Sequence, residues 1–328
     1  MADVARLAGV SSQTVSRVSN GHPGVAEPTR QQVLAAMREL RYRPNSAARA
    51  LKRGAFSTIG VLSFSSSATG NVHVLEAITT AAAHEGYSVA LLPHSLTTED
   101  EVRGACARMR DLAVDGLIVM PERRLSDAVT TALSAHVHVL VADLHAGDSS
   151  TVVDTDQTAG GRSAVRHLLG LGHRTVWHLA GPEESCAAHL RAAAWRTELT
   201  EAGRVVPQLS RGDWSAESGY RAGLELAARE DCTAVFAAND QMALGLLRAF
   251  HEQRRRISED ISVVGFDDIP EAASFLPPLT TVHQDFAEVG RLCVERILCQ
   301  LRSRTVESAT TRVPTRLVVR STTAPPRR

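Results

Sequence analysis

DVARLAGVSSQTVSRVSN, residues 3–20, reads as two short helices joined by a tight turn. Val4, Ala5 and Leu7 make the first helix apolar on one side. Gly9, inside Ala8-Gly9-Val10, is free to take the positive φ of a tight connection. Ser11 or Ser12 can cap the second helix, because a serine hydroxyl accepts from the first orphan N–H groups. Val15 and Val18 face inward at helical spacing. Ser11, Ser12, Gln13, Thr14, Ser16, Arg17 and Asn20 then occupy the outer face and the helix ends, with no acid among them. Short hydroxyls suit phosphates, and Gln and Arg suit base edges, so this face suits a major groove.

Charge supports that direction. The 328 residues sum to a formal charge of zero, but residues 1–54 carry nine basic and three acidic side chains, a net of +6. The remainder is −6. A basic head on an acidic body is the footprint of a nucleic-acid-binding module joined to something else. The length points to two or three domains. The five cysteines form no CxxC pair, which argues against a zinc site or disulfide framework and fits a reducing, cytoplasmic setting. No apolar run approaches a membrane span or an export signal.

Residues 25–40 read as a third helix, opened by Glu27 and Pro28 and striped by Val33, Leu34, Met37 and Leu40. Pro44 pushes Arg43 out of the helical region. NSAARAL, residues 45–51, is opened by a good cap in Asn45 but is too short to be a stable helix alone. Leu51, flanked by Arg49, Lys52 and Arg53, has the chemistry of an apolar wedge for the minor groove.

From residue 58 the pattern alternates. Strand-like runs at 58–64, 88–92, 116–120, 137–142, 175–180, 234–237 and 261–266 are separated by helix-length segments at 72–85, 99–112, 158–171, 187–202, 216–229, 242–253 and 285–301. Repeated βα units imply parallel sheets covered on both faces, and their number implies two lobes. Ligands of open α/β sheets sit at the carboxyl ends of strands. Those ends give Phe64, Asp143, Asn239-Asp240 and Asp267-Asp268, joined by Arg191, Trp214, Gln284 and Phe286. One planar aromatic among Asp, Asn, Gln and Arg groups is the composition of a sugar site. Neighbouring acids on a strand end point to opposite sides, so Asp267 and Asp268 are expected to divide between cleft and scaffold.

The N-terminal segment resembles the helix-turn-helix of the LacI/GalR family of regulators. GDWSAESGY (212–220), ANDQMALG (238–245), ISVVGFDD (261–268) and PPLTTVHQDF (277–286) extend the resemblance to residues 3–324. It implies an all-α helix-turn-helix headpiece (1–44), a hinge helix and linker (45–56), and an α/β two-lobed, type I periplasmic-binding-protein-like effector domain (57–328). The lobes would be 57–155 with 285–313, and 156–284 with 314–324. In the family the hinge folds only on operator DNA, where the leucine matching Leu51 enters the minor groove. The positions matching Asp143, Arg191, Trp214, Asn239, Asp267, Gln284 and Phe286 line the inducer pocket. Departures fall at Ser12, where the pattern has tyrosine, at Ala26, where it has a serine cap, and at Phe64, Ala68, Thr69 and Ala187 on the aglycone side. The chain ends in STTAPPRR with no heptad tail, so a homodimer is expected.

The resemblance thus implies a cytoplasmic, nucleoid-associated repressor of carbohydrate-utilisation genes. A small sugar, a galactoside by preference, would release it from a near-palindromic double-stranded operator. The alternatives are another sugar, a nucleobase corepressor, or a sugar-binding protein without regulatory function. No cofactor, metal or membrane partner is expected: His136 and His138 on one strand face read as core or surface histidines. GxSxG, P-loop, GxGxxG and HExxH motifs are absent, which argues against an enzyme.

Overall fold

The computed structural model describes residues 1–42, 55–63, 69–93, 104, 108, 113–121, 138–141, 151–303 and 309–327. The chain falls into two compact units, residues 1–57 and 58–328. Asn45, Arg49, Leu51 and the rest of the expected hinge helix lie outside the described residues, as do Asp143, Phe64, Ala68 and most of the expected helix at 99–112.

The first unit holds α1 (Ala2–Leu7), α2 (Ser12–Ser19) and α3 (Glu27–Glu39). Val4 and Ala5 of α1, Val15 and Val18 of α2, and Val33, Ala36 and Met37 of α3 bury one small core. Gly9 makes the turn at φ +62°. Ser11 caps α2: its Oγ accepts from the Thr14 N–H at 3.1 Å. No side chain caps α3 at Ala26, although the backbone there is already extended at φ −56°, ψ 140°.

The second unit is built on two six-stranded sheets. The first has the order β11-β5-β4-β3-β1-β2, with β1 Thr58–Ser63, β2 Ser88–Pro93, β3 Gly116–Met120, β4 His138–Val141, β5 Thr151–Thr155 and β11 Thr310–Val313. The second has the order β12-β10-β9-β8-β6-β7, with β6 Trp177–Ala180, β7 Ser210–Arg211, β8 Ala234–Ala237, β9 Ser262–Asp267, β10 Thr280–His283 and β12 Arg316–Val318. All pairings are parallel except β10 with β12. The chain passes between the sheets after β5, after β10 and between β11 and β12.

The alternating run pattern is the α/β architecture seen here. Five strands were not anticipated: β5, β7, β10, β11 and β12. Each is short, and β7 has two residues. A strand of two to five residues has too little periodicity to distinguish it from a loop.

The second sheet is a sandwich. On one face α5 (Gln157–Gly170) and α6 (Cys186–Glu201) cover Ala234, Phe236, Val264 and Phe266. On the other, α7 (Ala216–Ala227) and α8 (Asp240–Glu252) cover Val235, Ala237 and Val263. The alternation is the two-residue period of a strand buried on both sides. α7 and α8 approach so closely that a Cβ on Gly245 would stand 2.0 Å from the Ala216 carbonyl oxygen. On the first sheet, α4 (Thr69–His84) and α9 (Phe286–Ser303) pack together over Ile59, Val61, Ile118 and Leu140.

Supplying the missing cap gives a test. Ala26→Ser is expected to stabilise the head by about 1 kcal/mol. Hydrogen exchange at the Thr29 amide, the donor a serine would engage, should slow about fivefold by the same energy. An unchanged Thr29 rate would refute the capping account.

Candidate effector site and nucleic-acid interface

The cleft between the two sheets is lined by β5 and the segment after it, by α6, by the loop at 214, by the carboxyl ends of β8, β9 and β10, and by the start of α9. Arg191, Trp214, Asn239, Asp267, Gln284 and Phe286 all line it. Thr69 and Ala187, two of the departures from the family pattern, line it as well.

Arg191 is the centre. It projects from α6 and is 5 % exposed. Its Nε donates to Gln157 Oε1 at 2.8 Å, and its Nη1 donates to the Ala238 carbonyl oxygen. The guanidinium carbon lies 3.8 Å from the Phe266 ring centre and 5.6 Å from that of Trp214. Nη1 stands 3.8 Å from Asp267 Oδ1. A buried guanidinium keeps its charge, so its surroundings must supply acceptors and π faces.

Gln284 ties the lobes together. Its Nε2 donates to Asp267 Oδ1 at 2.7 Å, and its Oε1 accepts from Gln157 Nε2 at 3.1 Å and from the Thr155 hydroxyl. Thr155 ends β5 of the first sheet, whereas Asp267 ends β9 of the second. Burial pushes the Asp267 carboxyl up to about 6, against the lowering pull of Arg191 and the Gln284 hydrogen bond. Asp154 Oδ1 accepts from the Thr155 N–H at 2.7 Å, and burial pushes this carboxyl up to about 6 as well. Among the described residues, Arg191 Nη2 and Asp267 Oδ2 have no protein hydrogen-bond partner. Both atoms are therefore left for a ligand, one to donate and one to accept.

Asp267 and Asp268 do point apart. Asp268 is held by Arg320 at 2.6 Å and by His283 Nδ1 at 3.0 Å, away from Arg191. Asn239 is occupied: its Oδ1 caps α8 at Met242 N, 2.9 Å, and its Nδ2 donates to the Trp214 carbonyl oxygen at 3.0 Å. It fixes the Trp214 backbone, which sits at φ +72°. The Trp214 ring packs directly against Gly181, where a Cβ would stand 2.3 Å from the indole. Phe286 stacks on His73 with ring centres 5.6 Å apart.

Asp154, Thr155 and Gln157 were missed as site residues. Their only sequence signal is the short run TVVDTDQ, and its strand character emerges once β11 pairs with it. Asp240 was noted beside Asn239, but it is scaffold: fully buried, it accepts from the Thr281 hydroxyl at 2.6 Å and the Ile269 N–H at 2.9 Å. The cavity measures about 110 Å3. At about 10–15 Å3 per water-sized group it holds roughly seven to eleven such groups, close to one pyranose.

In the head, Ser11, Ser12, Gln13 and Arg17 are exposed, and Thr14 and Ser16 are half-buried. Asn20 folds back, its Nδ2 donating to the Ser16 carbonyl oxygen at 2.8 Å. Among the described residues no group of three His, Cys, Asp or Glu side chains could hold a metal, and no helix is long and apolar enough to cross a membrane.

The Trp214 platform can be tested directly. Gly181→Ala is expected to displace the indole and to cost about 1–3 kcal/mol by overpacking. A lowered Tm with a shift in tryptophan emission is the expected pair of signals. Wild-type values for both would contradict the close approach.

Residues 1–45 match the model of bacterial regulatory proteins of the lacI family, and residues 165–323 match that of the periplasmic binding protein-like domain. The lactose operon repressor of Escherichia coli K12 is 37% identical over 99% of this chain and 90% of its own length. The HTH-type transcriptional repressor PurR of Erwinia tasmaniensis is 36% identical over 98% of this chain and 96% of its own. The crystal structure of the lac repressor dimer bound to operator and the anti-inducer ONPF aligns with a TM-score of 0.88 at 36% identity, covering 98% of both chains. The groove-shaped head, the two-sheet body and these likenesses agree: the chain belongs to the LacI family of DNA-binding transcriptional repressors.

Proposed function

We propose that this repressor controls carbohydrate-utilisation genes and leaves its operator when a small sugar, a galactoside by preference, enters the cleft. The pairing of Arg191 with Asp267 beneath the Trp214 indole carries this reading. Apolar C–H faces of a pyranose pack on an indole, and a guanidinium beside a carboxylate takes adjacent hydroxyls as acceptor and donor. Arg191, Trp214, Asp267, Gln284 and Phe286 then touch the sugar, with Asp143 as a further ligand. Asn239 acts through Trp214.

Domain roles follow the same division: a headpiece to residue 44, a hinge over 45–56, and an effector domain beyond. The headpiece presents Ser11, Ser12, Gln13, Thr14, Ser16, Arg17 and Asn20 to the major groove. Asn45 and Arg49 contact the backbone, and Leu51 wedges into the minor groove. A homodimer places two such heads on a near-palindromic site. Sugar favours the state in which the hinges are held apart, with coupling of about 1–3 kcal/mol. The work takes place on the nucleoid, in the cytoplasm.

A gel-shift titration with the native upstream region tests the switch. A galactoside is expected to weaken the complex about 5–150-fold, the range of that coupling. Arg17→Ala should erase sequence preference while leaving sugar binding intact. Release by a purine and by no sugar would overturn the sugar assignment, and no response to any ligand would overturn the switch.

Proton linkage supplies a second test. A hydroxyl donates more strongly to a carboxylate than to a carboxylic acid, so the sugar favours ionised Asp267. With that carboxyl near 6, affinity is expected to hold above about pH 7 and to fall as pH drops through about 6. Asp267→Asn should flatten the profile. A constant wild-type affinity between pH 5 and 8 contradicts the role given to Asp267.

A further inference from the structure

The second lobe has another cavity, whose lining shares no residue with that of the cleft. It measures about 410 Å3 and lies between β6, β7 and α7. This is an ordinary size for a small-molecule site. Arg211, Arg221 and Arg229 line it, against one lining acid, Glu225. Arg229 lies over the Trp177 indole, with its guanidinium carbon 4.7 Å from the ring centre. The Trp177 ring also lines the cavity, and its buried N–H has no acceptor among the described residues.

Two wall residues bond the surroundings of Trp214, one through Gly181 and one through the Trp214 loop itself. Arg211 Nη1 donates to the Gly181 carbonyl oxygen at 3.2 Å, and Gly181 is the residue on which the Trp214 ring rests. Ser218, nearly fully buried, accepts from the Asp213 N–H at 3.1 Å and donates to the Ser215 carbonyl oxygen at 2.9 Å. A ligand that draws Arg211 toward the cavity competes with the bond to Gly181.

We propose that this cavity is a second ligand site, for the oxyanion of a small phosphorylated metabolite, and that its occupancy moves Trp214. Guanidinium forks match phosphate oxygens in pairs, and the cationic surplus of the lining favours a dianion. Effector and phosphate then modulate each other's affinity by the same factor. The phosphate site stands on its own residues; only its link to effector affinity rests on the role given to Trp214 above.

The test uses full-length protein with 15N-labelled indoles and inorganic phosphate as the probe. The three tryptophans give three indole signals. Trp195, buried and donating to the Val176 carbonyl oxygen at 2.8 Å, is the internal control. Phosphate is expected to shift Trp177 saturably, to shift Trp214 with the same midpoint, and to leave Trp195 in place. The Arg211→Gln/Arg229→Gln variant should raise the midpoint at least tenfold. Arg221→Gln, on exposed α7 surface, should raise it severalfold and serves if the double variant misfolds. The site is overturned by the absence of a saturable Trp177 shift, by the same shift in chloride at matched ionic strength, or by unchanged midpoints in the variants. A still Trp214 beside a saturating Trp177 overturns the coupling. None of these signals requires the sugar to be identified, so they fail separately from the effector assignment.

Discussion

A guanidinium with almost no access to water governs the effector domain. Arg191 cannot shed its proton, so every element around it is arranged to receive the charge. α6 delivers it, Phe266 and Trp214 offer ring faces, Gln157 and Ala238 offer oxygens, and Asp267 offers the countercharge. These residues come from separate βα units of the second lobe, and the rest of the cleft lining comes from the first. The pocket is therefore a consequence of the two-sheet topology and not of any one segment.

The same cluster sits where the lobes join. Gln284 bonds Thr155 of the first sheet and Asp267 of the second, so a change in lobe orientation must break or remake those bonds. A ligand that engages Asp267 and Arg191 would touch the residues that join the two lobes. That is how a small molecule can bias two states of a large body: it needs only different contacts in each. The second-lobe edge approaches the cleft from the other side, through Gly181 and the Trp214 loop.

The DNA-binding head follows a different economy. Its core is four valines, two alanines and one methionine, and its outer face was readable because helix periodicity sets it within a few residues. Capping at Ser11, the turn at Gly9 and the inward valines are local effects, visible over a few residues. The absence of a cap at Ala26 was legible for the same reason.

In the body, the long buried runs announced β1, β3, β8 and β9, and two of the cleft residues, Asn239 and Asp267, stood out as polar groups at strand ends. Asp154, Thr155 and Gln157 did not, because the strand that presents them is recognisable only beside β11, more than 150 residues away. Asn239 looked like a ligand, yet its side chain is engaged in capping α8 and holding Trp214. From residue types and spacing alone came the basic groove-reading helix, the parallel α/β lobes and the inventory of sugar-compatible groups, since these depend on local periodicity and charge. Which groups meet, which are already satisfied, and which carboxyls burial raises in the cleft came only with the packed structure. Those outcomes depend on burial and distance between segments that are remote along the chain.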